Sequence, residues 1–218
     1  MDSPKSALEM IEHVEQDNLE VARKMATQKM ATLDPEHQAR RCGADVAEDD
    51  TGRHLAFGYL GTPVRVTIPG CKVLLPDGSE MNPYERVLVL HYITSDGPVP
   101  PDSDPITFKE VPSGAFYSAA FDRRAKNPLL GVFGDDPSRA VKAAESLGGR
   151  RADGGDVAVT VPAFPMVDIT MVFYRADDEF PADVNLLLSS GITAYLSTED
   201  IATVAGMTAY KLIKGART

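Results

Sequence analysis

The densest group of acids in the sequence consists of Asp177, Asp178 and Glu179. Phe180 and Pro181 follow directly. Neighbouring carboxylates can act as a general acid and base, or hold a divalent cation. Acids just before a helix also accept hydrogen bonds from its unpaired N–H groups and complement its dipole. Because proline favours the first helical position, we expect a helix to begin at Pro181, with Asp178 or Glu179 as its capping acid. Capping is favoured over catalysis.

Three further residues could bind a ligand or move a proton, namely His91, Tyr92 and Arg123. His91 shares a predicted helix face with the apolar residues Val87 and Leu88. A half-buried histidine with satisfied hydrogen bonds is favoured there over a metal ligand or a general base. Arg123 could bind an anion, although a solvated helix end is the favoured interpretation.

Metal and cofactor motifs are missing from the sequence. The two cysteines, Cys42 and Cys71, lie far apart and form no C-x-x-C pair, and the four histidines form no H-x-x-x-H pair. No phosphate-binding glycine loop and no G-x-S-x-G motif occurs. We therefore expect no metal and no cofactor, and we expect both cysteines to be free thiols, their reactivity being left open.

The charge balance argues against whole classes of partner. With 22 Lys and Arg against 32 Asp and Glu, the net charge is −10. Such a surface repels nucleic acid, whose phosphates must be contacted by Lys and Arg. No run of about 18 apolar residues occurs, so we expect no membrane partner. The first residues lack the basic and apolar regions of a signal peptide, so we expect a cytoplasmic protein.

The elements that would position these residues occur in blocks. Alternating apolar residues predict strand hairpins over 55–75 and 157–174, and helices precede, separate and follow them. Blocks of this kind favour an α+β fold. Because one hairpin is only marginally stable alone, we expect both to join one antiparallel sheet, packed with N-terminal, central and C-terminal helices. We expect a single domain overall, in which a helical extension over 1–42 shares the core of an α+β domain over 43–218.

Capping and turn residues predict several element boundaries. The N-terminal helix should break near Asp17, where a second capping sequence begins. Gly61-Thr62 is typical of a two-residue hairpin turn with glycine first. Asn127-Pro128 is typical of a helix start. Ser197 and Asp200 have the spacing of a capping box, which predicts the beginning of the last helix.

One ordered set of segments carries a family resemblance, namely Val89–Ile93, Ile106–Gly114, Ala119–Phe121, Leu147–Gly149, Phe164–Val167, Asp178–Ala182 and Tyr195–Ile201. Together these segments resemble a known family, the domain-of-unknown-function family 3786 of anaerobic bacteria and archaea, over roughly residues 40–214. The resemblance implies a fold and a biological context more than a mechanism. Some relatives carry a cysteine-rich, iron–sulfur-type region, which this chain lacks. The family's recurring His-Tyr and Asp-Glu-Phe-Pro-Ala segments correspond to His91-Tyr92 and Asp178–Ala182.

Two functions from different classes follow. The favoured one is a cytoplasmic accessory factor in anaerobic metabolism that binds a small molecule or a protein partner, with Tyr92 and Arg123 as candidate ligand-binding residues. The alternative is a small-molecule enzyme that uses His91, Asp178 and Glu179 as an acid–base or metal site. Convergence of those three side chains on one pocket would favour the enzyme.

Overall fold

The computed structural model describes residues 20–50, 52–96 and 104–217, and the helix break predicted near Asp17 lies outside them. These residues form two antiparallel sheets, one of four strands and one of five, together with several helices. The α+β class predicted from the sequence is therefore confirmed. Among the described residues, no helix combines the length and the apolar character that crossing a bilayer requires.

The chain divides into two compact units. The first contains residues 64–94 and the described residues up to Ala56, and the second contains Phe57–Pro63 and the described residues from Ser95 onward. The first sheet has the strand order β1-β2-β3-β4. The elements up to residue 94 are α1 (20–30), α2 (Pro35–Cys42), β1 (Asp45–Asp49), β2 (Gly52–Tyr59), β3 (Thr62–Thr67), β4 (Val73–Leu74) and α3 (Pro83–Thr94).

Capping residues define both ends of helix α2. The Asp34 carboxylate accepts hydrogen bonds from the N–H groups of Glu36 and His37 at 3.3 and 3.2 Å. Pro35 occupies the first turn, where its missing N–H costs nothing. Gly43 ends the helix in the left-handed conformation, with φ at 61°. Local capping alone thus fixes both ends of this helix.

The turn between β2 and β3 falls one residue earlier than predicted. The two turn residues are Leu60 and Gly61, with φ at 45° and 75°. Both φ values are positive, as in the mirror-image turns whose twist matches that of a hairpin. The prediction of glycine in the first turn position is therefore wrong, because Leu60 accepts a left-handed conformation in that place.

The second unit is built on a sheet with the strand order β5-β9-β8-β7-β6. Its central hairpin, β7 and β8, pairs Val157 with Phe173 and lies at the predicted place. The last helix begins at the predicted capping box of Ser197 and Asp200. The elements are β5 (Ile106–Thr107), a 3₁₀ turn (Phe108–Glu110), α4 (Gly114–Phe121), a π turn (Asp122–Lys126), α5 (Asn127–Phe133), α6 (Arg139–Glu145), β6 (Arg150–Ala152), β7 (Val157–Phe164), β8 (Val167–Tyr174), β9 (Asp183–Leu188), a 3₁₀ turn (Ile192–Ala194) and α7 (Thr198–Gly215).

The two predicted hairpins do not share a sheet, so that prediction is wrong. Strands β2 and β3 lie in the four-stranded sheet, and β7 and β8 lie in the five-stranded one. A hairpin needs further strands or packing to be stable. Strands β1 and β4 provide them for the first hairpin, and β9, β5 and β6 provide them for the second. Of these partners, β4, β5 and β6 have only two or three residues, which leave little periodic signal in a sequence.

The helix predicted to begin at Pro181 is a strand. Strand β9 pairs antiparallel with β8, with Val184 opposite Phe173. Val184, Leu186 and Leu188 are buried in alternation. The apolar Leu187 interrupts that alternation in the sequence, and together with Pro181 it imitates a helical pattern.

Asn127-Pro128 does not start a separate helix, because residues 114–133 form one continuous helical segment with a π turn in the middle. The N–H of Asn127 donates to the carbonyl of Asp122, five residues earlier. Proline inside a regular α-helix lacks an N–H and clashes with the carbonyl four residues before it. The π turn directly before Pro128 accommodates the ring without ending the helix.

Candidate functional site

Tyr92 lies in the core of the first unit. Its side chain is buried, and its hydroxyl donates to the carbonyl of Cys42 at 2.6 Å. One residue along, the Gln38 side-chain amide donates to the carbonyl of Ile93, also at 2.6 Å. Two buried hydrogen bonds therefore join α2 to the end of α3, and both Tyr92 and Gln38 contribute to holding the helices together.

His91 is half-buried on α3, about 100° around the helix axis from Tyr92. It lines a groove of about 500 Å³ between α1 and the end of α3, together with Thr94 and Lys29. No carboxylate is among the described residues that line this groove. The described lining of this groove therefore offers His91 no carboxylate with which to form an acid–base couple.

The acidic loop of the second unit is held by Asp177, not by the acids predicted to cap a helix. The Asp177 carboxylate accepts hydrogen bonds from the N–H groups of Glu179 and Phe180, at 2.9 and 2.7 Å. These bonds stabilise the charged form and hold the pKa of Asp177 below its ordinary value. Asp178 and Glu179 are exposed. The predicted capping role is wrong because the segment after Pro181 enters a strand and offers no helix N-terminus.

The same loop forms one wall of a surface pocket of about 470 Å³. Phe180 and Tyr174 contribute aromatic rings that are 65% and 41% exposed. Asp183 and Asn185, at the beginning of β9, form the opposite wall. Asp178 and Glu179 are not among the residues that line it.

A second, smaller pocket of about 180 Å³ lies between β9, the first 3₁₀ turn and the helical segment 114–133. Its apolar wall contains Phe108 and Phe121, whose rings stack with centroids 4.2 Å apart. Ser118, Asp122 and Lys126 are polar residues contributed by the helical segment.

The turn that carries Lys109 into this pocket is fixed by its neighbours. The Glu110 carboxylate accepts hydrogen bonds from the N–H and the hydroxyl of Thr107, at 2.7 and 2.8 Å. These bonds hold the pKa of Glu110 below its ordinary value. The Lys109 backbone is thereby held at the pocket, and Lys109 as a whole is an exposed residue.

The two pockets share Asn185, and we call them together the Asn185 cleft. An ion pair of 2.8 Å joins Lys126 of the smaller pocket to Asp183 of the larger one. In the described part of the chain, neither Lys109 nor Asp122 has an ion pair or a side-chain hydrogen bond of its own. The smaller pocket therefore presents one cation and one anion that are open to a ligand.

Arg123 is exposed and does not line the cleft, although its neighbour Asp122 does. Thus Arg123, Asp178 and Glu179 lie in the second unit outside the pockets described above, whereas His91 and Tyr92 lie in the first unit.

Sequence reasoning missed Lys109, Asp122 and Asn185. They come from three distant segments, and no local spacing connects them.

Segments that carry the family resemblance meet at this cleft. Thr107, Phe108 and Lys109 line the smaller pocket with Phe121, and Phe180 lines the larger one. A family model described as a domain of unknown function (DUF3786) matches residues 34–211. The chain belongs to this family. No curated protein and no solved structure matches the chain significantly. The DUF3786 match includes every strand of both sheets and every residue of the Asn185 cleft.

The two cysteines of this DUF3786 chain are buried free thiols. Burial raises the pKa of the Cys71 thiol, and a hydrogen bond with Thr27 and the nearby Arg23 only partly oppose this effect. Among the described residues, no group of three or more His, Cys, Asp or Glu side chains is placed to hold a metal ion.

Proposed function

We propose that the protein binds a small zwitterionic molecule, of the size and charge of an amino acid, in the smaller pocket of the Asn185 cleft. One observation carries the proposal: Lys109 and Asp122 line the same pocket with opposite charges, and neither has a charged partner among the described residues. A ligand carboxylate would pair with the Lys109 ammonium, and a ligand ammonium would pair with the Asp122 carboxylate. The Asn185 amide can donate to one group and accept from the other.

Pocket size and lining support a ligand of this class. A volume of about 180 Å³ equals the space of about six liquid water molecules, enough for a small metabolite. The stacked rings of Phe108 and Phe121 offer an apolar wall to a side chain. Ligand sites combine mostly apolar walls with a few polar groups that fix orientation.

Binding is proposed in preference to catalysis. The enzyme alternative requires His91, Asp178 and Glu179 in one pocket. The groove that contains His91 has no carboxylate in its described lining, and neither pocket of the Asn185 cleft is lined by Asp178 or Glu179. An accessory role in anaerobic metabolism, in the cytoplasm, is part of the proposal. It rests on the family resemblance and on the sequence.

Calorimetric titration of the full chain with the twenty standard amino acids tests the proposal. At least one should bind, and it should raise the unfolding temperature by several degrees, since saturation at 100 times Kd adds about 2.7 kcal/mol of stability. Replacing Lys109→Ala or Asp122→Asn should weaken binding about tenfold or more, in line with lost charge-assisted hydrogen bonds.

Matched controls are Lys142→Ala and Asp135→Asn, which change exposed residues outside the cleft. Both should leave Kd unchanged. The deaminated and decarboxylated analogues of the best ligand should each bind more weakly than the parent. Absence of binding by all twenty amino acids, or equal Kd values for Lys109→Ala and Lys142→Ala, would refute the proposal.

A further inference from the structure

The outward face of α4 carries two exposed aromatic side chains. Phe116 is 90% exposed and Tyr117 is 59% exposed. Gly114, Phe121 and Ala125 are the buried residues of α4 and the π turn, so the two aromatic rings point away from the core. Leaving a phenylalanine almost entirely in water forgoes the burial of most of its apolar surface.

Two arginines follow on the same face. Arg123 and Arg124 are exposed, and in the described part of the chain neither forms an ion pair. Arg123 lies seven residues, or about 10 Å along the axis, from Phe116. Seven residues make about two helical turns, so both side chains leave the same side of the helix. We call Phe116, Tyr117, Arg123 and Arg124 the aromatic–arginine face.

Helix α7 packs against the base of this face. A Cβ added at Gly206 would lie 3.5 Å from the Cβ of Arg124, which is an ordinary van der Waals contact. The base of the Arg124 side chain therefore packs beside the backbone of α7 at Gly206. One of the two arginines is thereby partly oriented before any partner arrives, which lowers the entropy lost on binding.

We propose that the aromatic–arginine face docks an acidic segment of a partner protein. Aromatic residues and arginine are the types enriched at the centres of protein interfaces, where they contribute most of the binding energy. Arginine forms bidentate pairs with carboxylates, and two neighbouring exposed arginines that form no ion pair among the described residues are complementary to acidic side chains. The partner's apolar anchor packs on Phe116, and its carboxylates pair with Arg123 and Arg124.

The distance across the face defines the spacing in the partner. About 10 Å separates anchor and carboxylates, which corresponds to three residues of an extended segment or seven residues of a helix. Two cations are too few for an anionic membrane, where clusters of about four to eight are needed. They are also too few for nucleic acid, given the acidic surface around them. The face is separate from the Asn185 cleft, which Ser118 and Asp122 line from the other side of the helix.

Selection of a random peptide library on the purified full chain tests the proposal without naming a partner. The selected peptides should combine an apolar residue with two or more acids at one of these spacings. Their binding, measured by fluorescence anisotropy, should weaken about tenfold or more with Phe116→Ala and with the double variant Arg123→Ala and Arg124→Ala, as for interface hot spots. Increasing salt should also weaken it.

Tyr210→Ala and Arg151→Ala are matched controls, since both change exposed residues elsewhere in the second unit. They should leave binding unchanged. Reversing both charges, with Arg123→Glu and Arg124→Glu, should abolish binding of the acidic peptides. The same variant should bind peptides in which the acidic residues are replaced by lysine. The proposal would be overturned if the selected peptides contained no acidic residues, if their binding were unaffected by these variants, or if no peptide were selected. The proposal would also be overturned if the protein formed concentration-dependent dimers that the double variant could not form. The face would then bind a second copy of this chain.

Discussion

Replacing Tyr92 by phenylalanine separates the structural role of this residue from the ligand-binding role that its sequence context suggests. The variant removes a single oxygen atom and keeps the ring. The hydroxyl donates to the Cys42 carbonyl at 2.6 Å in a buried setting, beside the Gln38 hydrogen bond to Ile93. We expect Tyr92→Phe to lower stability without any effect on ligand binding at the Asn185 cleft.

The expected loss follows from that one hydrogen bond. Removing the donor from a buried pair leaves the Cys42 carbonyl without this partner, at a cost of about 1–2 kcal/mol. The ring still fills its site, so the cavity contribution is small. With a urea dependence of about 2 kcal/mol per molar, the unfolding midpoint should fall by about 0.5–1 M and its slope should stay the same.

Urea unfolding followed by far-ultraviolet circular dichroism measures this difference, because the chain has no tryptophan to report by fluorescence. Tyr210→Phe is the control, since that tyrosine is 60% exposed. In a double-mutant cycle with Gln38→Met, the two losses should be non-additive by about 0.5 kcal/mol or more, as for residues in one network. A midpoint for Tyr92→Phe equal to that of Tyr210→Phe would refute the structural role.

Two further predictions concern titrating groups. In the folded protein, the pKa of Asp177 lies below its ordinary value of 3.8. The hydrogen bonds that the charged carboxylate accepts therefore contribute their full stability above pH 3.8, and this contribution is lost as the pH falls through the folded pKa. The amide resonances of Glu179 and Phe180 should report this titration in NMR spectra, and Asp177→Asn should remove it; a midpoint above 3.8 would contradict the hydrogen bonds. Thiol reagents at pH 8 should modify native protein slowly and unfolded protein rapidly at both Cys42 and Cys71, since both are buried and burial raises the pKa of Cys71 above 9.0. Rapid labelling of the native protein would show that the thiols are accessible.

Much of the fold could be predicted because its signals are local. Asp34 and Gly43 bound α2, and Ser197 starts α7, through bonds within a few residues. Strand β9 was missed because its identity depends on pairing with β8, a contact that overrides the helix-like pattern around Pro181. Likewise, the division of the two hairpins between sheets depends on short partner strands such as Val73–Leu74.

The candidate site could not be predicted from the sequence in the same way. Sequence reasoning finds groups that are close along the chain, such as the acids beginning at Asp177. Lys109, Asp122 and Asn185 become neighbours only when a turn, a helix and an edge of the sheet come together. The one sequence signal that pointed to this place was the family resemblance of the segments around Phe108 and Phe180, which line the cleft.

The π turn in the segment 114–133 sets a limit on how this part of the chain can change length. It holds one residue more than a regular helix needs, so every side chain after it is rotated by about 100° relative to an uninterrupted helix. That offset aligns Lys126 with Ser118 on the pocket wall and brings it to Asp183. Deleting one residue between Asp122 and Lys126 would remove that extra residue, so the helix would become regular and the lysine would stay on the same wall, whereas inserting a residue would turn the lysine away. Relatives that keep the pocket should therefore have either the present number of residues in this interval, with the π turn, or one residue fewer, with a regular helix.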